Sequence, residues 1–355
     1  MFNLNFLKIK QNSASQTFFS LLIFTFVFSA VILSLNSYAE AQVLTAVGDT
    51  AEAEEMTVAF VPRSLDNPIF LDAFEEAQKK ADDLGVNLEW VAPFVYNADE
   101  QIAIIEALIE RNVEGIIVSV NNTEKYIDVI DKAVENGTAV ATFDADAPDS
   151  SRIFHVGINN LRAGEAAAEG LLNILEEENI NYKDNNKVLR TMVMTGVRGA
   201  DNLEQRISGF KRVISESNIE VEDILENQDS VNISVEILEQ YLEDKPDVDI
   251  IYFVGGWPFY VPAEALPNFQ RWVKNGGIAV GIDIFYDALL LQQQGLVKFL
   301  VGQDMSSMGS EALSLMFNYL KYDIKPAEII YTGLEISDGS NIERLLQIHK
   351  PWRVK

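Results

Sequence analysis

The chain has 355 residues, 48% of them hydrophobic and 10% aromatic, which suits a globular protein of about two domains. Lysine and arginine number 27 against 54 acids, and the resulting net charge of −27 repels phosphate backbones and anionic lipid, so nucleic-acid and peripheral membrane binding are not expected. The absence of cysteine rules out disulfides, zinc ribbons and thiol catalysis, and two histidines, His155 and His349, are too few for a multi-histidine metal site.

Residues 1–17 are polar, carry Lys8 and Lys10 and contain no acid; an apolar run follows over 18–35, and then Ala39-Glu40-Ala41. This pattern predicts a secretory signal over 1–41, cleaved before Gln42. A retained anchor would also fit the length of the run, but the small-residue site favours removal. Export without a cysteine for lipidation predicts a soluble periplasmic protein. Residues 42–55 are rich in Ala, Glu and Thr without apolar periodicity and read as a flexible leader.

From Met56 the chain alternates short apolar runs with helical periods. A strand over 57–62 precedes Asn67-Pro68, which predicts a helix with Asn67 as N-cap and Pro68 at the first helical position. Phe70, Phe74, Ala77, Ala81 and Leu84 then mark one buried face, and Gly85 stops it. Strands over 86–91, 115–120, 139–144 and 153–156 alternate with helices over 100–111 and 123–136. A second round begins after Asn160, with helices over 161–177, 202–216, 234–243, 263–275 and 286–294 and strands over 188–195, 219–224, 249–254 and 278–283. Near-continuous apolar strand cores and repeated βα units predict an α/β protein of two doubly wound parallel-sheet lobes. A strand over 296–302, a helix over 307–320 and a strand over 329–332 remain, and are expected to cross back between the lobes. The expected division is 56–158 plus 304–330 for the N-terminal lobe and 159–303 plus 331–355 for the C-terminal lobe, joined by a multi-strand hinge.

In open α/β sheets the ligand crevice lies outside the carboxyl ends of the strands. Those ends carry Arg63, Asp66 and Asn67; Asn121 and Asn122; Asp144 and Asp146; Arg198 and Asp201; Gly256 and Trp257; Asp283; and Gln303 and Asp304. Arg63, Asn121 and the two aspartates after the fourth strand could each serve a ligand or simply hold the local turn. Phe70, Phe94, Trp257, Phe259, Tyr260, Phe285 and Tyr286 are interleaved with them. Amides, carboxylates and guanidinium groups beside flat rings suit a carbohydrate, whose hydroxyls need donors and acceptors and whose C–H face packs on a ring. No dinucleotide fingerprint, phosphate loop or nucleophile elbow is present. Residues 144–149 mimic a calcium loop only superficially, because Pro148 and Asp149 occupy the third ligand and glycine positions. No metal or cofactor is expected.

At these residues the chain resembles the periplasmic sugar-binding proteins of the ribose-binding type, the type I substrate-binding proteins of ABC importers, over residues 56–337. Asn67-Pro68-Ile69-Phe70 is similar to the family's Asn-Pro-Phe-Phe segment, with Ile69 in place of the first aromatic. Asp144 matches its sugar-binding aspartate, with Ala145 where an arginine usually follows. Arg206, three residues before Gly209-Phe210, matches its hydroxyl-binding arginine; Asp283 and Gln303 match its aspartate and hinge-side glutamine; and Gly256-Trp257 replaces its Asn-Asp.

The resemblance implies a monomeric binding protein, not an enzyme, that closes two lobes on a neutral sugar and delivers it to an ABC permease. The ligand residues it implies are Asn67, Phe70, Asp144, Asp146, Arg206, Trp257, Asp283 and Gln303. The departures predict a pocket that does not hold ribose in the usual pose. Asp144-Ala145-Asp146 before Pro148 also resembles the autoinducer-2 binding branch, so a receptor presenting that signal, or a sugar, to a membrane sensor kinase is the alternative. A secreted carbohydrate-active enzyme, with Asp144 and Asp146 as paired acids, is a third.

Overall fold

A computed structural model of the protein describes residues 56–120, 122–183 and 187–349. The predicted signal and leader, Asn121 and the last six residues lie outside the described residues. The first lobe runs β1 (Thr57–Val61), α1 (Phe70–Leu84), β2 (Asn87–Trp90), α2 (Ala98–Glu110), β3 (Gly115–Val118), α3 (Thr123–Glu135), β4 (Ala139–Phe143) and β5 (His155–Gly157). The second runs α4 (Asn160–Glu177), β6 (Leu189–Thr195), α5 (Asp201–Ile214), β7 (Ile219–Glu226), α6 (Val231–Asp244), β8 (Ile250–Phe253), α7 (Pro267–Lys274), β9 (Ile278–Ile282), α8 (Tyr286–Gln293) and β10 (Phe299–Gln303). The chain ends with α9 (Met305–Tyr322), β11 (Ile329–Tyr331), β12 (Leu334–Ser337) and α10 (Ile342–Ile348).

Two six-stranded sheets result, in the orders β11-β5-β4-β3-β1-β2 and β12-β10-β9-β8-β6-β7. Every pairing is parallel except β10 with β12, which is antiparallel. Strands β3, β4, β8 and β9 are buried along their whole length, as helices on both faces require. Burying each Val, Ile or Leu there stabilises the fold by about 1.5–3 kcal/mol.

Three segments pass between the sheets: between β5 and α4, between β10 and α9, and between β11 and β12. Helix α9 belongs to the first sheet's side. It lies so close on α1 that a Cβ at Gly309 would stand 2.0 Å from the Ala73 carbonyl oxygen. Strand β11 then pairs with β5, Ile329 opposite His155.

Two helix starts differ from the sequence pattern. Helix α1 begins at Phe70 with Ile69 as its N-cap residue and no side-chain cap. Asn67 instead accepts the Ile69 N–H on its side chain at 3.3 Å, a turn one step upstream of the helix. The span read as one helix over 263–275 is broken at Pro267, which has no N–H to donate. It divides into a 3-10 turn, Ala263–Ala265, and α7.

Candidate ligand-binding cleft

The C-terminal ends of β1, β4, β6, β7, β8, β9 and β10 converge, and the side chains they bring together form one buried polar network. Asp283 follows β9 in the left-handed region, with φ 88°. One of its oxygens accepts the Gly256 N–H at 2.7 Å, and the other accepts Gln303 Nε2 at 2.7 Å. Burial pushes the Asp283 carboxyl above its ordinary range, while Arg206 and those two hydrogen bonds pull the other way.

Gln303, the last residue of β10, passes the network on: its Oε1 accepts Arg206 Nη2 at 3.0 Å. Arg206 is 2% exposed. Its Nε donates to Asn160 Oδ1 at 2.8 Å and its Nη1 to the Val254 carbonyl at 3.1 Å, so its planar fork is fixed. The helix carrying it can come this close because both helices supply a glycine. A Cβ at Gly164 of α4 would lie 1.9 Å from the Arg206 carbonyl oxygen, and one at Gly209 of α5 would lie 2.0 Å from that of Leu161.

Asp144 faces this group from the other lobe. It follows β4 with φ 59° and accepts the Ser119 hydroxyl at 2.9 Å. Asn202 Nδ2 of α5 donates to its second oxygen at 3.3 Å, and the Arg206 guanidinium is 4.0 Å away. Arg63, after β1, is 4% exposed and lies 3.5 Å from Asp144. It reaches over the Phe70 ring, 5.7 Å from the centroid, and meets Asp229 of the second lobe at 3.2 Å. The lobes therefore touch through two sets of polar contacts, one centred on Asp144 and the other on Arg63.

The remaining candidates divide. Asn67, four residues after Arg63, is 3% exposed. Phe70 packs edge-on against Phe143, with centroids 5.9 Å apart. Trp257 opens a 3-10 turn and is 4% exposed, its ring within 2.7 Å of where a Cβ on Gly196 would stand. Tyr260 stacks on Phe285 at 4.0 Å beneath Gly256, whereas Phe259 is buried against Phe253 and Phe94 is 71% exposed. Arg198 spends its charge on Glu204 at the surface.

Asp146 is placed differently from the ligand-facing role expected of it. Arg152 grips it with two N–H groups, one at 2.7 Å, and the Thr142 hydroxyl and the Ala147 N–H also donate to it. Burial opposes its ionisation, but Arg152, His155 and Thr142 outweigh this and hold the carboxyl below its usual range. These partners all belong to its own lobe, so Asp146 secures the turn that carries Asp144. Pairing with Arg152 also makes it a poor partner for Asp144 in acid–base chemistry.

Asp229 was absent from the sequence-predicted set. It follows β7, which extends to Glu226, two residues beyond the apolar pattern. The strand-end rule that singles out Asp144 and Asp283 finds it once β7 is given its full length. Among the described residues, no group of three or more His, Asp or Glu is arranged to hold a metal ion.

A two-lobed α/β chain with polar strand ends facing one another across a cleft defines the class of bilobal solute-binding proteins. Residues 58–323 match the periplasmic binding protein domain, and the chain belongs to that family. The ribose import binding protein of Haemophilus influenzae is 27% identical over 301 residues, covering 85% of this chain and 94% of its own. An ABC transporter solute-binding protein of Burkholderia graminis, solved in complex with D-arabinose, superposes with a TM-score of 0.72 at 28% identity, covering 82% of this chain and 97% of its own. A glucose-galactose binding protein of Geobacillus stearothermophilus, 24% identical, shares the fold with a TM-score of 0.70 over 80% of this chain and 98% of its own. These relatives are binding proteins, not enzymes.

Proposed function

We propose that the protein captures a small neutral sugar or sugar-like compound between its lobes and delivers it, as a monomer, to the permease of an ABC importer. The observation that carries this reading is the hydrogen-bonded run Asp283–Gln303–Arg206, buried at both ends and faced from the other lobe by Asp144. Such a run offers fixed donors and acceptors to hydroxyls on both sides of a ligand. The cluster holds two arginines, Arg63 and Arg206, against three aspartates, Asp144, Asp229 and Asp283, so it has no positive excess to attract an anion.

A charge-assisted hydrogen bond contributes about 1.5–3 kcal/mol, so a few suffice for a micromolar affinity of about −8 kcal/mol. Asn67, Phe70 and Trp257 complete the proposed wall. The relatives named for ribose import and solved with D-arabinose support pentoses as the first class to try. A thermal-shift screen of monosaccharides, polyols and autoinducer-2 tests the reading, because a ligand that binds only the native state raises the melting point by mass action. A clear rise with one sugar is expected; a flat response across all sugars would overturn it.

A further inference from the structure

Four described non-glycine residues have positive φ elsewhere than just past the C-terminal end of a helix: Asp144, Gln228, Asp229 and Asp283. Three are aspartates, and each follows a parallel strand at the cleft end of its sheet. Left-handed backbone costs energy in a residue with a side chain, and such strain gathers where a side chain must be aimed. Asp144 and Asp283 are already part of the cleft network, and Asp229 shares their backbone signature.

The Asp229 side chain is completely buried and pairs across the lobes with Arg63 at 3.2 Å. The Trp257 indole lies beside it, yet neither carboxylate oxygen meets a hydrogen-bond partner in good geometry. An ionised carboxylate has about four lone-pair sites, and a buried acceptor left unmet is costly. Burial accordingly pushes the Asp229 carboxyl above its ordinary range, with Arg63 opposing. Its surroundings hold Asp144, itself an acceptor, and supply no second cation, so the missing partners are neutral donors.

Building on the sugar-binding reading, we propose that Asp229 is a ligand-binding residue that sets specificity. Its carboxylate accepts a hydrogen bond from a hydroxyl of the bound compound, and Arg63 holds it in place from the opposite lobe. The ligand class that fits is a neutral polyol or sugar with a hydroxyl at this end of the cleft. Deoxy forms lacking that hydroxyl are selected against, and so are anions, which would meet the Asp229 charge.

The test is titration calorimetry of the purified full-length protein with D-ribose, D-arabinose and D-xylose, followed by the monodeoxy forms of the tightest binder. Asp229→Asn is expected to weaken the parent sugar by about tenfold to a hundredfold, the equivalent of one charge-assisted hydrogen bond. One monodeoxy sugar should bind wild type and Asp229→Asn alike, because the group Asp229 serves is already gone. A purely structural role would instead give losses that add for every deoxy form, and this result, or parent affinity within about threefold of wild type, would overturn the proposal. Asp229→Ser supplies the same cycle if Asp229→Asn does not fold. If wild type binds none of the three pentoses but another sugar, the cycle is run with that sugar; if it binds none at all, the sugar reading itself fails and this proposal falls with it.

Discussion

His155 shows how a buried residue outside the cleft couples its protonation to folding. It lies in β5 with its Nδ1 3.0 Å from the Thr142 hydroxyl, whose one proton is donated to Asp146. Burial lowers its pKa, and Arg152 acts in the same direction, while Asp146 and Asp144 oppose. The native imidazole therefore stays neutral where an unfolded one, with a pKa of about 6.5, takes up a proton. The unfolded state then binds more protons below about pH 6.5, so stability falls as the pH drops, by at most about 1.4 kcal/mol per pH unit from this one group. Melting temperature is expected to decline from pH 7 to 5, and His155→Gln to flatten that slope whatever its melting point at pH 8. An unchanged slope would show that His155 does not carry the effect.

Asp144 and Asp283 could be read from the sequence because a strand stops at each and the strand-end rule needs no more than that. The role of Asp146 could not, since Arg152 returns to it only after the turn through Pro148, and no periodicity encodes that return. Arg63 could be placed at a strand end, but its two acidic partners come from 81 and 166 residues later, a distance that only the folded topology closes.

At the scale of elements, the contact between α4 and α5 positions the cleft arginine. Gly164 and Gly209 let the two backbones touch, and any side chain at either would meet main-chain atoms, which cannot swing aside. Gly209→Ala is expected to destabilise the protein by about 1–3 kcal/mol, lowering the melting point by roughly 3–10 °C. It should also weaken sugar binding, because α5 must shift and Arg206 with it. Gly333→Ala is the control: a Cβ there meets nothing within 4 Å. Differential scanning fluorimetry of the two variants decides the matter, and equal melting points would refute the account. The apolar period revealed α5 itself, whereas its closeness to α4 depends on which two glycines fall opposite each other in space.

On the scale of the whole molecule, the two lobes are joined by three chain crossings and meet through Asp144 and Arg63. A ligand shifts such an equilibrium only by its extra contacts in the closed form. The sugar identified by melting should therefore reduce the radius of gyration in solution scattering. Asp144→Ala, which removes the acceptor facing Asn202 and Arg206, should abolish that contraction. A full contraction in the variant would remove Asp144 from the closing mechanism. The alternation of strands and helices made both lobes legible in the sequence. The antiparallel β12 was not, because a strand of four residues, only the last of them buried, carries too little pattern to declare its direction.

The return of α9 and β11 to the first sheet also fixes an order of events during synthesis. Thr332 donates to the carbonyl of Gly157, some 175 residues earlier, so the outer edge of the first sheet closes only near the end of the chain. Until then α1 lacks the helix that packs on its Ala73 carbonyl. A chain emerging N-terminus first thus completes the sheet of its second lobe up to β10 before it can finish its first. Strand β12 follows β11 and closes the second sheet in turn, so each sheet receives an edge strand from the C-terminal segment.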